Sequence, residues 1–121
     1  MLLDGQAEAA LTFRGVAAGR SLEPGTLVVD VGGGSTELVL GGPEGVARAV
    51  SLQLGSVRLT ERFLRSDPPT AAELAACATH VRDALPALDG VRHAIGVAGT
   101  VTTLAALDLG LEADEPCTDT V

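Results

Sequence analysis

One eight-residue stretch combines residue types that suit phosphate chemistry. Residues 30–37 are Asp-Val-Gly-Gly-Gly-Ser-Thr-Glu, so carboxylates at Asp30 and Glu37 bracket three glycines and two hydroxyl side chains. Consecutive glycines let the backbone take conformations closed to other residues and let N–H groups approach an anion. Ser35 and Thr36 add hydroxyl donors, and carboxylates beside a phosphate suit a hydrated Mg²⁺ or an attacking water. The plain alternative is a glycine-rich hairpin turn with a polar tip, but the complete pattern favours a phosphate-binding loop. Its glycines are Gly32, Gly33 and Gly34.

Two strands are needed to position this stretch. Residues 27–31 form a β-branched run that predicts a buried strand, and residues 36–40 predict a second one. A third strand is predicted over residues 46–54, after a turn at residues 41–45. Because the connections are short, the three strands are expected to form an antiparallel meander with the glycines at the tip of its first hairpin.

Helices are predicted before and after the meander. The first covers residues 4–14 and ends near Gly15. A short helix follows the third strand, where Ser56 can act as its N-cap and residue 64 is its last. Thr70 opens the clearest helix, because Glu73 three positions later completes a capping box.

The third helix is expected to present one apolar face and to end or kink at Pro86. The residues of that face are Leu74, Cys77, Val81, Leu85 and Leu88. A fourth strand is predicted over residues 93–97, and a last helix is expected to end at Gly110. The order strand, strand, strand, helix, helix, strand, helix is typical of an α/β lobe of the ribonuclease-H-like type. The acidic tail, residues 112–121, has no strand or helix signal, so we expect an incomplete lobe that lacks a fifth strand and a closing helix.

Composition limits the possible partners. The chain has 121 residues, a formal net charge of −8 and an aromatic share of 2%. An acidic chain with Phe13 and Phe63 as its aromatic residues is not expected to bind nucleic acid. The longest uncharged run, residues 94–107, is too short to span a membrane, and no secretory signal is visible, which predicts the cytoplasm. The cluster of Arg58, Arg62 and Arg65 is interpreted as a solvated helix face, with a substrate-binding patch as the alternative.

These motifs resemble those of a known family. The segment VVDVGGGSTELVLG, residues 28–41, is similar to the second phosphate motif of the Ppx/GppA phosphatases in the actin, Hsp70 and sugar-kinase superfamily. Residues 3–16 resemble the family's G-x-x-E-A segment. Residues 51–64 and 94–111 match later family segments in order and spacing. The Ser-Thr-Glu ending of the phosphate motif disfavours a sugar-kinase or chaperone lobe.

The resemblance implies roles for individual residues. Glu8 corresponds to the family's catalytic glutamate, which orients or deprotonates the attacking water. Asp30 would contact a metal ion, with Mg²⁺ as the natural choice, and residues 32–36 would hold a phosphoryl group. Glu37 would be a second catalytic or metal-linked carboxylate. Gly99 and Thr100 match the family's third glycine motif and would meet the phosphate at a helix N-terminus, while close strand–helix packing is an equal alternative for that motif.

The resemblance also implies a missing partner. Family members begin with another lobe that carries a D-x-G-[ST]-N-[ST] loop, and this chain has no such segment. We therefore expect residues 1–25 to be a linker and helix from the lobe junction, residues 26–111 the phosphate-binding lobe, and residues 112–121 the tail. The implied function is hydrolysis of the terminal phosphate of polyphosphate or guanosine pentaphosphate (pppGpp), inactive or weak without the first lobe. A non-catalytic phosphate- or nucleotide-binding module and a truncated remnant stay open as alternatives, and a homodimer is possible.

Overall fold

The computed structural model describes residues 5–18 and 21–110, which form four helices and four strands. In chain order these are α1 Gly5–Ala18, β1 Thr26–Val31, β2 Thr36–Gly42, β3 Gly45–Leu52, α2 Ser56–Phe63, α3 Ala71–Ala84, β4 His93–Val97 and α4 Ala98–Leu109. The order is the one that the sequence predicts.

The four strands form one mixed sheet in the order β3-β2-β1-β4. β1 pairs antiparallel with β2, and β2 pairs antiparallel with β3, which confirms the predicted meander. The chain then crosses through α2 and α3, and β4 joins the far side of β1 in parallel. β1 and β4 therefore finish at the same end of the sheet, which we call the cleft end. The β2–β3 turn lies at the opposite end.

Helices cover both faces of the sheet. On one face α1 buries Ala9 and Phe13 against Val28 of β1 and Val39 of β2. Val28 is 0% and Val39 1% exposed, so this aliphatic cluster is the centre of the core. On the other face α4 packs against β1 and β4, where Gly96 lies directly against Val101.

Two helix predictions need correction. α1 does not end near Gly15 but continues to Ala18, because Val16 and Ala17 pack against the core and this packing outweighs the helix-breaking tendency of glycine. Ser56 is not the N-cap of α2. That position belongs to Gly55, and no side chain caps the helix.

α3 shows one confirmed prediction and one that changes. The capping box between Thr70 and Glu73 is present, and the helix ends at Ala84, two residues before Pro86. The predicted apolar face is only partly covered, since Leu74 is 52% and Leu85 47% exposed in the described part of the chain. None of the helices within residues 5–18 and 21–110 is long and apolar enough to cross a membrane. Residues 112–121 lie outside the described residues, and the domain boundaries stay a prediction.

Candidate active site

Two of the predicted carboxylates face each other across the first hairpin. Asp30 of β1 and Glu37 of β2 are direct partners in the antiparallel register. They lie on the α1 side of the sheet, two positions along from the buried pair Val28 and Val39. Burial and the charge of Glu37 raise the pKa of Asp30 above its ordinary value of 3.8. Two like charges in direct cross-strand contact oppose each other, so this pair costs stability until a cation or a proton approaches it.

α1 adds the third carboxylate. Glu8 and Thr12 lie one helical turn apart and line, with Leu11, Asp30 and Glu37, a single cleft of about 320 Å³. Burial of Ala9 and Phe13 against the sheet fixes the rotation of α1 and so holds this neighbouring strip of the helix over the carboxylate pair. The structure thus brings together Glu8, Asp30 and Glu37, three residues to which the family resemblance gives roles, and these roles stay predictions. Thr12 and Leu11 were missed, although the spacing of Thr12 from Glu8 was a usable signal.

Asp30 and Glu37 suit a metal ion whose remaining ligands are waters and the phosphates of a substrate. Within the described residues, no three His, Cys, Asp or Glu side chains lie close enough to hold a metal ion by themselves. Mg²⁺ is ordinarily bound by one or two carboxylates, with waters and substrate phosphates completing its octahedral shell. Asp30 with Glu37 provides such a partial set of oxygen ligands.

The side chain of Glu37 is held in place by two serines. Ser35 Oγ donates a hydrogen bond to Glu37 Oε1 at 2.9 Å, and Ser51 Oγ donates to the same oxygen at 3.1 Å. Ser51 is the direct partner of Glu37 on β3. Ser35 was predicted to bind phosphate, but in this structure its hydroxyl is engaged with Glu37. Ser51 was not predicted.

The glycine loop turns its carbonyl groups towards the first turn of α2. The amide of Ser56 donates to Gly32 O at 3.0 Å, while the amides of Val57 and Arg58 donate to Gly33 O at 3.0 and 3.1 Å. The Nε of Arg58 completes the set by donating to Gly34 O at 3.0 Å. The electropositive end of α2 is therefore used to bind the loop.

This arrangement leaves the N–H groups of the same three peptides available to a ligand. In a trans peptide the N–H points away from the C=O, so the amides of Gly33, Gly34 and Ser35 point away from α2. None of them donates a hydrogen bond to any of residues 5–18 or 21–110. Peptides whose carbonyls already accept hydrogen bonds are polarised into better donors. Consecutive backbone amides without a protein acceptor are donors of the kind that anion-binding loops use.

The expected reason for the glycine triplet was wrong in one respect. Gly32, Gly33 and Gly34 do not adopt the left-handed backbone conformation that only glycine enters freely. Space is the stronger constraint. A Cβ on Gly33 would lie 3.3 Å from a methyl of Val57, and a Cβ on Gly55 would overlap the Gly33 carbonyl.

Thr36 supports the loop from the other face of the sheet. Its side chain is buried, and its hydroxyl donates to Leu54 O at 2.7 Å. Thr36 was predicted to hold a phosphoryl group with a free hydroxyl donor. In this structure that hydroxyl instead fixes the loop to the segment that leads into α2.

Gly99 and Thr100 lie at the cleft end of the sheet, in the first turn of α4. Val97 pairs with Asp30, so α4 begins directly beside the carboxyl end of β1. Gly99 and Thr100 do not line the carboxylate cleft. A Cβ on Gly99 would meet nothing within 4 Å, so close packing does not explain this glycine. The preceding residue, Ala98, has a left-handed φ of 68°, which strains a residue with a side chain.

The chain matches proteins of one family. The model of the Ppx/GppA phosphatase family matches residues 1–113. Exopolyphosphatase 2 of Mycobacterium tuberculosis strain H37Rv is 50% identical over 114 residues, which are 88% of this chain and 35% of that protein. The guanosine-5'-triphosphate,3'-diphosphate pyrophosphatase of Photobacterium profundum is 30% identical over 94% of this chain and 24% of its own length.

Solved structures give the same result for the fold. The crystal structure of the Aquifex aeolicus Ppx/GppA family member has a TM-score of 0.81 and 35% identity, covering 95% of this chain and 38% of that one. An exopolyphosphatase from Cytophaga hutchinsonii has a TM-score of 0.79 and 30% identity, over 89% of this chain and 37% of its own. The predicted α/β lobe of the actin-like ATPase type is thereby confirmed. The chain spans about a third of the length of the first curated relatives it matches.

Proposed function

Since this chain belongs to the Ppx/GppA phosphatase family, we propose that it is the phosphate-gripping lobe of a phosphatase acting on inorganic polyphosphate or guanosine pentaphosphate. One observation carries this proposal: Glu8, Asp30 and Glu37 line a single cleft, and the loop between the strands of Asp30 and Glu37 offers three free amides. Phosphate binders and water-activating carboxylates are thus adjacent, as phosphoryl transfer to water requires.

The proposed reaction gives the groups of the site the following tasks. The amides of Gly33, Gly34 and Ser35 bind oxygens of the terminal phosphoryl group. Glu8 and Glu37 hold a water in the cleft, and one of these two carboxylates accepts a proton from it as the water oxygen bonds to phosphorus. The bond between phosphorus and the bridging oxygen breaks, and the shortened chain or nucleotide leaves with that oxygen. Gly99 and Thr100, at the N-terminus of α4, add donors for phosphate from the neighbouring strand end.

Asp30 and Glu37 are the residues that would hold Mg²⁺. When bound, Mg²⁺ supplies charge neutralisation at the phosphate oxygens. A requirement for Mg²⁺ agrees with the negative charge of the cleft. The cleft carries three carboxylates in a chain of net charge −8 and would otherwise repel a polyanion.

The proposed activity needs a second lobe. The curated relatives are about three times longer than the matched region, and phosphoryl hydrolysis depends on contacts from several sides of the substrate. We therefore propose that the described lobe is inactive or weakly active alone and gains activity from a first lobe. A lobe that binds phosphate without hydrolysis is the second candidate, because the loop amides donate no hydrogen bond to any residue that the structure describes and stay available to a ligand.

The decisive experiment measures phosphate release from long-chain polyphosphate with Mg²⁺. It compares this chain alone, the chain mixed with the first lobe of a related family member, and that mixture carrying Glu37→Gln. Release by the mixture that the substitution abolishes supports the phosphatase. A folded chain that binds orthophosphate but releases none in any mixture would instead establish the binding module. pppGpp as a parallel substrate decides between the two substrate classes.

A further inference from the structure

Two hydroxyl groups converge on a single oxygen of Glu37. Ser35 Oγ and Ser51 Oγ lie 2.9 and 3.1 Å from Glu37 Oε1, while Oε2 accepts no hydrogen bond from the described residues. One oxygen of this carboxylate is therefore saturated, and the other is left for water, metal or substrate in the cleft.

The two donors sit on supports of different rigidity. Ser35 belongs to the glycine loop, whose amides we assign to phosphate. Ser51 lies on β3 and is the ladder partner of Glu37, so its backbone is fixed by the sheet. If Ser35 turns its hydroxyl to a bound phosphate, as the sequence predicts for it, Ser51 alone keeps the Oε1 contact.

The charge of the neighbouring strand makes such a contact necessary. Asp30, Glu37 and Ser51 form one cross-strand row over β1, β2 and β3. On the β1 side Glu37 faces a second carboxylate, that of its direct partner Asp30. On the β3 side it is bound by Ser51. A carboxylate pushed from one side and held from the other has a defined position.

We propose that Ser51 is a positioning residue for the phosphatase reaction, holding Glu37 Oε1 so that Oε2 is presented to the attacking water. This inference rests on the proposed function. It adds to that function a residue outside the phosphate motif, which acts through Glu37 without touching the substrate.

The first test does not depend on activity. Three-bond couplings measured by NMR report whether the Glu37 side chain keeps one χ1 rotamer. The couplings are measured with saturating orthophosphate, so that the Ser35 hydroxyl can turn to the ligand. We expect Ser51→Ala to give averaged couplings, Ser51→Thr to keep the single rotamer because threonine retains the hydroxyl and suits a strand, and the matched control Ser21→Ala to change nothing. A single unchanged rotamer in Ser51→Ala would overturn the positioning role.

The second test uses the mixture with a first lobe. Losing a hydrogen bond to a charged group weakens positioning by an amount equivalent to about a tenfold fall in kcat. We expect that fall in Ser51→Ala with KM unchanged, because the phosphate-binding amides are intact, and we expect Ser51→Thr to restore kcat. An unchanged kcat, a change confined to KM, or failure of threonine to rescue would refute the proposal. If the unsubstituted mixture is inactive, the proposed function fails, whereas the NMR result still decides whether Ser51 positions Glu37.

Discussion

Glycines are concentrated at both ends of the sheet, but the two ends use them for different reasons. Near the opposite end, Gly25, Gly45 and Gly90 have φ values of 77°, 112° and 81°, all in the left-handed region. At the cleft end, none of Gly32, Gly33 and Gly34 lies in that region. The left-handed residue beside the cleft is Ala98, whose φ is 68°.

The space around Gly41 also differs from the space around the loop glycines. At the opposite end a Cβ on Gly41 would overlap the Gly45 carbonyl and lie 2.6 Å from Phe13 Cζ. At the cleft end a Cβ on Gly34 would have no neighbour nearer than 3.9 Å. The glycines of the opposite end are dictated by backbone geometry and packing, whereas an added Cβ at Gly32, Gly33 or Gly34 would approach other atoms no closer than 3.2 Å. Substitutions at the two ends should therefore damage different properties.

The largest expected effect is at the cleft carboxylates. Glu37→Gln in the two-lobe mixture should lower phosphate release by about 10²- to 10⁴-fold, the usual contribution of an acid–base group. Glu8→Gln should act similarly. The melting temperature of the chain should not fall, because neither side chain is part of the core and Glu37→Gln removes the repulsion between Glu37 and Asp30. Turnover within twofold of the unsubstituted protein in both variants would remove these residues from the mechanism.

At the opposite end, Gly41→Ala should destabilise the fold by about 3 kcal/mol without a specific effect on the cleft, because the added methyl has no space beside Phe13. Urea denaturation measures the loss. Gly15→Ala is the matched control, since a Cβ there meets nothing within 4 Å and alanine favours a helix. Equal stabilities of the two variants would contradict the packing explanation.

A substitution in the glycine loop should lower phosphate affinity more than it lowers the stability of the fold. Gly33→Val should weaken orthophosphate binding about tenfold, the equivalent of one charge-assisted hydrogen bond, because it crowds Val57 and displaces the amides. Its stability should fall by less than that of Gly41→Ala. Isothermal titration calorimetry at fixed Mg²⁺ gives the affinity. Unchanged affinity in a folded variant would count against the phosphate-binding loop.

Ala98→Gly tests strain at the cleft end. Because glycine adopts a left-handed φ without the Cβ penalty, the substitution should stabilise the chain by about 1 kcal/mol. Urea denaturation again provides the measurement. A variant less stable than the original chain would show that Ala98 makes contacts that outweigh its backbone strain.

The smallest effect concerns pH. The pKa of Asp30 is raised in the folded state, so the folded chain binds this proton more readily than the unfolded chain. Its ionisation therefore costs stability above the folded pKa, and the cost disappears as pH falls below the ordinary value of 3.8. Asp30→Asn should be more stable near neutral pH by less than about 1 kcal/mol, with the difference vanishing in acid. Denaturation with a chelator present measures it, and a pH-independent difference would contradict this origin.

Local patterns were enough to predict most of the fold. Each strand, the capping box at Thr70 and Glu73, and the stop at Gly110 were predicted from neighbours in sequence, and the structure contains all of them. The end of α1 was not predicted, because its last turn depends on packing of Val16 and Ala17 against the core. Local preference cannot show such a distant contact.

The failure to predict Ser51 as a site residue also has a definite cause. A β-bulge between Leu40 and Gly41 shifts the β2–β3 register by one residue. If the β2–β3 pairing continued from the turn without that bulge, Glu37 would lie opposite Val50. Ser51 would then lie on the other face of the sheet. Ser51 could be recognised only once the bulge was known, whereas Asp30 and Glu37 were predicted from the residue types that bracket the glycines, which requires no knowledge of the β2–β3 register.

The attachment of α2 to the loop has a consequence for regulation. α2 packs chiefly on α3, and its first amides and Arg58 are bound to the loop carbonyls. Because these hydrogen bonds join the loop to α2, a shift of the α2–α3 pair would also move the loop amides that we propose as phosphate donors. Under the proposed function, phosphate binding at the loop and the position of the α2–α3 pair would therefore affect each other by the same free energy.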